Sequence, residues 1–298
     1  MTDNAVQFCK VSKRYEHFAL HEVSFELPVG SIMGFIGANG AGKSTTLRIL
    51  LGLVHQDGGS VSVLGHSMPR EGVSAKWDIG YVSEDMRLYP AATIGWHMEF
   101  VRGIYPTWDQ LYAEALVQRF DLQPTQRVKG LSHGQRIKAA LLLALARRPR
   151  LLVLDEPTSG LDPVARQEVI GALTDVLKDE NRSVLFSSQN TLDIEQVSDQ
   201  VTFIDRGRIV DSDDKEQYLE RWRRIRLSIP EHAALPALPD IVQQTMTGRI
   251  ATMTTGHYTA AMVEQCHAAG ATVHAVDRLT LEEIFVATVM SRRSAGAA

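Results

Sequence analysis

The chain has 298 residues, 44% of them apolar, enough to bury the core of one large domain and a smaller second one; a disordered chain is excluded. The net charge of −4 leaves no basic surplus, so nucleic acid is not expected as a partner. Cys9 and Cys266 lie far apart without metal-type spacing and are expected as reduced thiols, and the longest apolar run, Ala139 to Ala146, falls far short of the ~20 residues that cross a bilayer.

No basic stretch followed by an apolar run opens the chain, so no secretion signal is expected. From Val6 to about Glu26 the pattern predicts an antiparallel sheet, with Val23, Phe25 and Leu27 alternating with polar residues. Ile32 to Ile36 reads as a buried strand that feeds a glycine-rich turn and a helix from about Ser44 to Leu53. Short strands follow at Ser60 to Leu64 and Ile79 to Val82. Residues 93–148 read as helical, interrupted by Pro106 and Pro124. Arg150 to Leu154 is a second buried strand, Asp162-Pro163 opens a helix, and Val184 to Phe186 and Val201 to Ile204 are further strands. Strands alternating with helices imply a mostly parallel sheet covered on both faces. The grammar changes after Trp222: alternating Ile225, Leu227 and Ile229, a Pro/Ala-rich stretch, a strand near Arg249 to Thr254, a helix near Tyr258 to Ala269, a strand near Thr272 to Val276, and a last helix opened by the capping box Thr280 to Glu283. We therefore expect a main domain over residues 1–220 and a small α+β domain over 221–298.

Gly37-Ala38-Asn39-Gly40-Ala41-Gly42-Lys43-Ser44 fits G-x-x-x-x-G-K-[ST], with a buried strand before it and a helix after it. Glycines let backbone N–H groups curl around phosphate oxygens, and the positive end of the helix favours the anion. Gly37, Asn39, Gly40, Ala41, Gly42, Lys43, Ser44 and Thr45 are the candidate nucleotide contacts; Lys43 would reach the β- and γ-phosphates and Ser44 would place its hydroxyl on Mg²⁺. Leu151 to Glu156 is an apolar strand ending in two acids. Asp155 is expected at the Mg²⁺ ion and Glu156 as the general base on the attacking water. These two motifs together specify a P-loop nucleotidase.

Leu131-Ser132-His133-Gly134-Gln135 narrows the reading, because it resembles the LSGGQ signature of the ATP-binding cassette (ABC) family. Ser159-Gly160-Leu161-Asp162 resembles that family's D-loop, and Tyr15 lies where the family stacks an aromatic on adenine. The resemblance spans about Val6 to Asp211. It implies an ABC-type α/β fold with an antiparallel β subdomain and a helical subdomain, ATP and Mg²⁺ as cofactors, and a second cassette as partner. Ser132, Gly134, Gln135 and Asp162 would then face the nucleotide held by that second copy. Glu84 stands where the family usually has Gln and is expected near the metal. Gln189 stands where the family has a switch histidine; an amide donates a hydrogen bond but carries no charge, so slower hydrolysis is expected. His133 replaces a glycine and is expected to face outward without a role.

The tail from Trp222 to Phe285 resembles bacterial export-type cassette subunits, and the insert Tyr105 to Asp109 resembles cassettes linked to envelope stress. Leu88, Tyr89, Ile94, Trp96, Phe100, Tyr105 and Trp108 form an apolar stretch where the family docks its membrane subunit. The expectation is a peripheral ATPase on the cytoplasmic face of the bacterial inner membrane, driving a multi-span permease on a separate chain. Two alternatives stay open: an ATP-gated regulator with little hydrolysis, and a soluble cassette ATPase outside transport.

Overall fold

The structure is a computed structural model that describes residues 4–176, 178–230 and 235–295. It divides into two compact units, residues 1–209 and 210–298. The division falls before the helix Lys215–Arg221, whereas the boundary expected from sequence, between residues 220 and 221, falls at the last residue of that helix.

In the first unit, β1 (Asn4–Arg14) and β2 (Ala19–Pro28) lead to β3 (Ile32–Ile36) and α1 (Lys43–Leu50). Next come β4 (Gly58–Val63), β5 (His66–Met68), α2 (Gly72–Trp77) and β6 (Ile79–Ser83). Three helices follow, α3 (Ile94–Ile104), α4 (Gln110–Arg119) and α5 (His133–Leu145), and then β7 (Leu151–Asp155), α6 (Pro163–Val176), β8 (Ser183–Ser188), α7 (Thr191–Val197) and β9 (Gln200–Asp205). The strand β10 (Arg208–Asp214) follows β9 and contains the division between the units.

Two sheets share one core. The antiparallel sheet runs β2-β1-β4-β5 and buries Phe8 and Phe25, stacked at 4.6 Å, against Phe35 of β3. The second sheet runs β10-β9-β3-β8-β7-β6, with β9, β3, β8, β7 and β6 paired in parallel. Every residue of β3, β7 and β8 is buried, which is why these strands read as unbroken apolar runs rather than alternating ones. The register aligns Ser83, Asp155 and Ser187 across β6, β7 and β8, and Phe35 with Ser187 across β3 and β8. The loops that leave the carboxyl ends of these strands therefore open side by side, where ligands of open α/β sheets sit.

The helical segment follows its caps. Thr93 accepts from Trp96 N at the start of α3, and Asp109 accepts from Tyr112 N at the start of α4. In α5 every residue from Ala139 to Leu145 is buried, so its apolar run belongs to a core helix. No helix among the described residues is long and apolar enough to cross a membrane.

The second unit contains α8 (Lys215–Arg221), β11 (Arg223–Ser228), β12 (Ile241–Thr247), β13 (Ile250–Thr255), α9 (Ala260–Ala268), β14 (Thr272–Arg278) and α10 (Leu281–Ala295). Its sheet runs β12-β13-β11-β14 and is antiparallel. Ile225, Leu227 and Ile229 pack with Met253, Met262 and the buried thiol of Cys266. The capping box forms: Thr280 N donates to Glu283 Oε2 at 3.0 Å, and Glu283 N donates to Thr280 Oγ1 at 3.3 Å.

Candidate functional site

Between β3 and α1 the backbone turns through Gly40 and Gly42, both at positive φ. Gly42 sits at φ 114°, a conformation only glycine adopts cheaply, and an added Cβ there would lie 2.7 Å from Leu20 and 2.9 Å from Phe18. The turn thus stays open while α1 begins beneath it without a side-chain cap. A cleft of about 530 Å³ lies over this turn. Its walls include Asn39, Gly40, Gly42, Lys43, Ser44 and Thr45 together with Glu84 and Glu156. The phosphate-loop motif and two acids from distant strand ends are therefore brought together.

Lys43 is only 5% exposed. Its Nζ donates to the Gly37 carbonyl at 2.7 Å and lies 2.9 Å from Glu156 Oε1. That approach is an ion pair without hydrogen-bond geometry, so Glu156 Oε1 is buried with no hydrogen-bond partner. Glu156 follows β7 at φ 53°, a left-handed backbone that a glutamate adopts at a cost. Its N–H donates to the Ser187 carbonyl at 3.1 Å, and its Oε2 accepts from Gln189 N at 3.2 Å. Hydrogen bonds to Ser187 and Gln189, at and just past the end of β8, thus hold the strained residue.

Asp155 is buried, and its Oδ1 accepts from Ser187 Oγ at 2.7 Å. The sequence does not mark Ser187 as a site residue; its one signal is a hydroxyl across from a buried strand-end acid. Tyr81, on β6, has its phenol pushed up by burial, with the Asp155 charge adding to the effect. Gln189 itself is exposed and reaches Glu156 through its main chain.

The cleft wall also includes His17 and Phe18. Tyr15 is 44% exposed, with its ring 6.5 Å from that of Phe18. Ser44 and Glu84 are hard oxygen donors that line the cleft; Asp155, at the end of β7 beside Ser83, is a third such donor but is not part of the cleft lining. Among the described residues no group of three or more His, Cys, Asp or Glu could hold a metal unaided. A sparse oxygen set of this kind suits Mg²⁺, which keeps several waters and takes phosphate oxygens.

The signature residues lie at the start of α5. Ser132 accepts from Gln135 N and Gln135 Oε1 accepts from Ser132 N, a complete capping box. The N–H groups of His133 and Gly134 have no intrahelical acceptor by geometry. Ser132 is exposed, so this helix start is open to solvent. Asp162 caps α6, accepting from Val164 N and Ala165 N at 2.9 Å each; the Ala165 N–H is the main reason its carboxyl lies below the ordinary range. His133 corrects an expectation: it does not face outward idly but is half-buried, with Nε2 3.0 Å from the Ser159 carbonyl.

A second concavity, about 250 Å³, is lined by Tyr81, Met86, Leu88, Tyr89, Phe100, Tyr105 and Arg147. Of the expected apolar stretch, Leu88, Tyr89, Phe100 and Tyr105 meet here, whereas Ile94 is core and Trp108 turns its Nε1 to Gln110. Arg147 lies 3.4 Å from the Tyr105 ring centre, and burial lowers its pKa.

The family profile described as ABC transporter matches residues 20–159. The ABC transporter ATP-binding protein YtrB of Bacillus subtilis is 30% identical over 70% of this chain and 71% of its own length. The Nod factor export ATP-binding protein I of Burkholderia orbicola is 33% identical over 68% of each chain. Among solved structures, an ATP-binding subunit of an ABC transporter superposes with a TM-score of 0.66 at 24% identity, covering 72% of this chain and 92% of its own.

Proposed function

This chain belongs to the ABC transporter family of ATP-binding proteins and is an ATPase of that family; from that premise we propose that it drives a membrane exporter whose spanning helices lie on a separate chain. The observation that carries the reading is the cleft that joins the phosphate loop to Glu156, with Lys43 Nζ 2.9 Å from that carboxylate.

In this reading the phosphate-loop N–H groups and Lys43 bind and orient the β- and γ-phosphates. Ser44, Asp155 and Glu84 would hold Mg²⁺, which when bound would neutralise charge on the phosphates. Glu156 takes the proton of the attacking water, its carboxylate oriented by Gln189 N from one side. Gln189 adds at most a neutral donor, so turnover is slow. Aromatic groups near Tyr15 and Phe18 take the adenine.

In this reading the chain pairs with a second cassette and with a permease. The open start of α5 suits a second cassette's triphosphate, with Ser132, Gly134, Gln135 and Asp162 turned to it. The concavity around Tyr89 and Phe100 suits an apolar segment of a multi-span permease. In this reading the chain sits peripherally at the cytoplasmic face of the bacterial inner membrane, carried there by its permease. Export is favoured by the tail after Trp222 and by the name of the Nod factor relative. Residues 221–298 serve as an accessory domain.

The test is affinity purification from native membranes followed by ATPase assay. A multi-span protein should co-purify, and Glu156→Gln should remove nearly all turnover, a loss of about 10²-fold or more. Turnover that is equal in wild type and Glu156→Gln, with no multi-span partner recovered, would overturn the reading.

A further inference from the structure

His133 departs from the family signature, and its side chain has a definite target. Nε2 lies 3.0 Å from the carbonyl oxygen of Ser159, 26 residues along the chain, so Nε2 carries the proton and donates. The imidazole also packs on Gly160: a Cβ there would lie 3.5 Å from His133 Cδ2 and Nε2. One residue on, Gly134 faces Leu161 and Ala165 at 3.5 and 3.7 Å from its own Cβ position. The first turn of α5 is thus seated on the loop Ser159–Asp162.

That loop begins directly at the hydrolytic residue. Ser159 N donates to the Glu156 carbonyl at 3.2 Å, closing a turn over residues 156–159. Two hydrogen bonds in series therefore run from Glu156 to the start of α5: Ser159 N to Glu156 O, then His133 Nε2 to Ser159 O. Glu156 is held at positive φ, so its side-chain direction depends on how firmly this turn is fixed.

We propose that His133 is a positioning residue for ATP hydrolysis, anchoring the Glu156–Ser159 turn to the helix start that is offered to a second nucleotide. The inference rests on the assignment of Glu156 as the base. Glycine at this position has no side chain to make the tie, so the anchor belongs to this chain's own sequence. A neutral imidazole suffices for the bond, since only the Nε2 proton is used.

The experiment compares the full-length wild type with His133→Leu, His133→Gln and His133→Gly. In steady-state ATPase assays His133→Leu should lower kcat about five- to tenfold while KM for ATP stays within about twofold, the loss of one transition-state-orienting hydrogen bond. His133→Gln carries an amide donor of similar reach and should recover at least about half of kcat. His133→Gly, which adds no bulk, should match the leucine variant and covers the case in which leucine misfolds. Hydrogen exchange on nucleotide-free protein gives a readout independent of turnover: amides of residues 157–162 should exchange faster in His133→Leu and His133→Gly and regain protection in His133→Gln. Unchanged kcat in both non-donor variants, or a glutamine variant as impaired as leucine, overturns the proposal. Were the wild type itself to show no turnover, the hydrolysis reading would fail, and unchanged exchange in His133→Gly would separately remove the anchor.

Discussion

Glu156 shows how one residue depends on its neighbours. Its left-handed backbone costs roughly 1–3 kcal/mol and is held by Ser187 and Gln189 at the end of the adjacent strand. Ser187 has two tasks there, since its hydroxyl also donates to the buried Asp155. Ser187→Ala leaves that carboxylate one hydrogen bond short in a dry setting, and should destabilise the protein by about 1–3 kcal/mol in chemical denaturation. Gln189 offers the opposite experiment. A histidine at this position restores a chargeable donor, so Gln189→His should raise kcat about tenfold or more in ATPase assays; no gain would show that the side chain does not face the reacting phosphate. Contiguous motifs such as Gly37 to Ser44 were legible because the whole device lies in one short segment. The contact of His133 with Ser159 was not, because the direction of a side chain at a helix start depends on a loop 26 residues away.

At the scale of elements, α4 illustrates what a cap and an ion pair do together. Asp109 accepts from Tyr112 N at 2.9 Å and from Arg148 Nε and Nη2 at 3.0 and 2.8 Å. The Tyr112 N–H, then Arg148, holds its carboxyl below the usual range. A depressed carboxyl contributes stability above its unfolded value, near about 3.9, and loses that contribution as pH falls through the folded value. Asp109→Ala should therefore cost about 1 kcal/mol near neutrality, and the gap in melting temperature from wild type should close as pH falls through and below the ordinary carboxylate range. The insert Tyr105 to Asp109 thus braces α4 and, through Tyr105 on Arg147, the end of α5. Long buried strands and capped helices were readable from pattern. The strand β12 was not: from Gln243 to Thr247 it is exposed on both faces, so no apolar alternation marks it. Short elements such as β5 and α7 carry too few residues to display a period.

For the whole molecule the decisive quantity is linkage between nucleotide and assembly. With Glu156→Gln blocking turnover, Mg-ATP at about 100 times its Kd should stabilise the fold by about 2.7 kcal/mol, seen as a raised melting temperature. The same mixture should double the mass in light scattering. Gly134→Asp is the informative control, because a Cβ fits at 3.5 Å from Leu161 while the carboxylate would repel a second copy's triphosphate. Thermal stabilisation should persist in that variant and the mass increase should vanish. Retained doubling would remove α5 from the contact. A change of pattern after Trp222 is legible in the sequence, whereas the division at residue 209 leaves no mark in the periodicity. A last consequence comes from α5. Its 13 residues form a rod of about 20 Å, buried along its second half. It starts at the open Ser132 cap and ends just before Arg147, in the wall of the aromatic hollow. A close-packed rod does not compress, so displacement imposed at one tip arrives at the other as displacement rather than as loosened packing. Fuel and cargo machinery would then be geared through a single shaft.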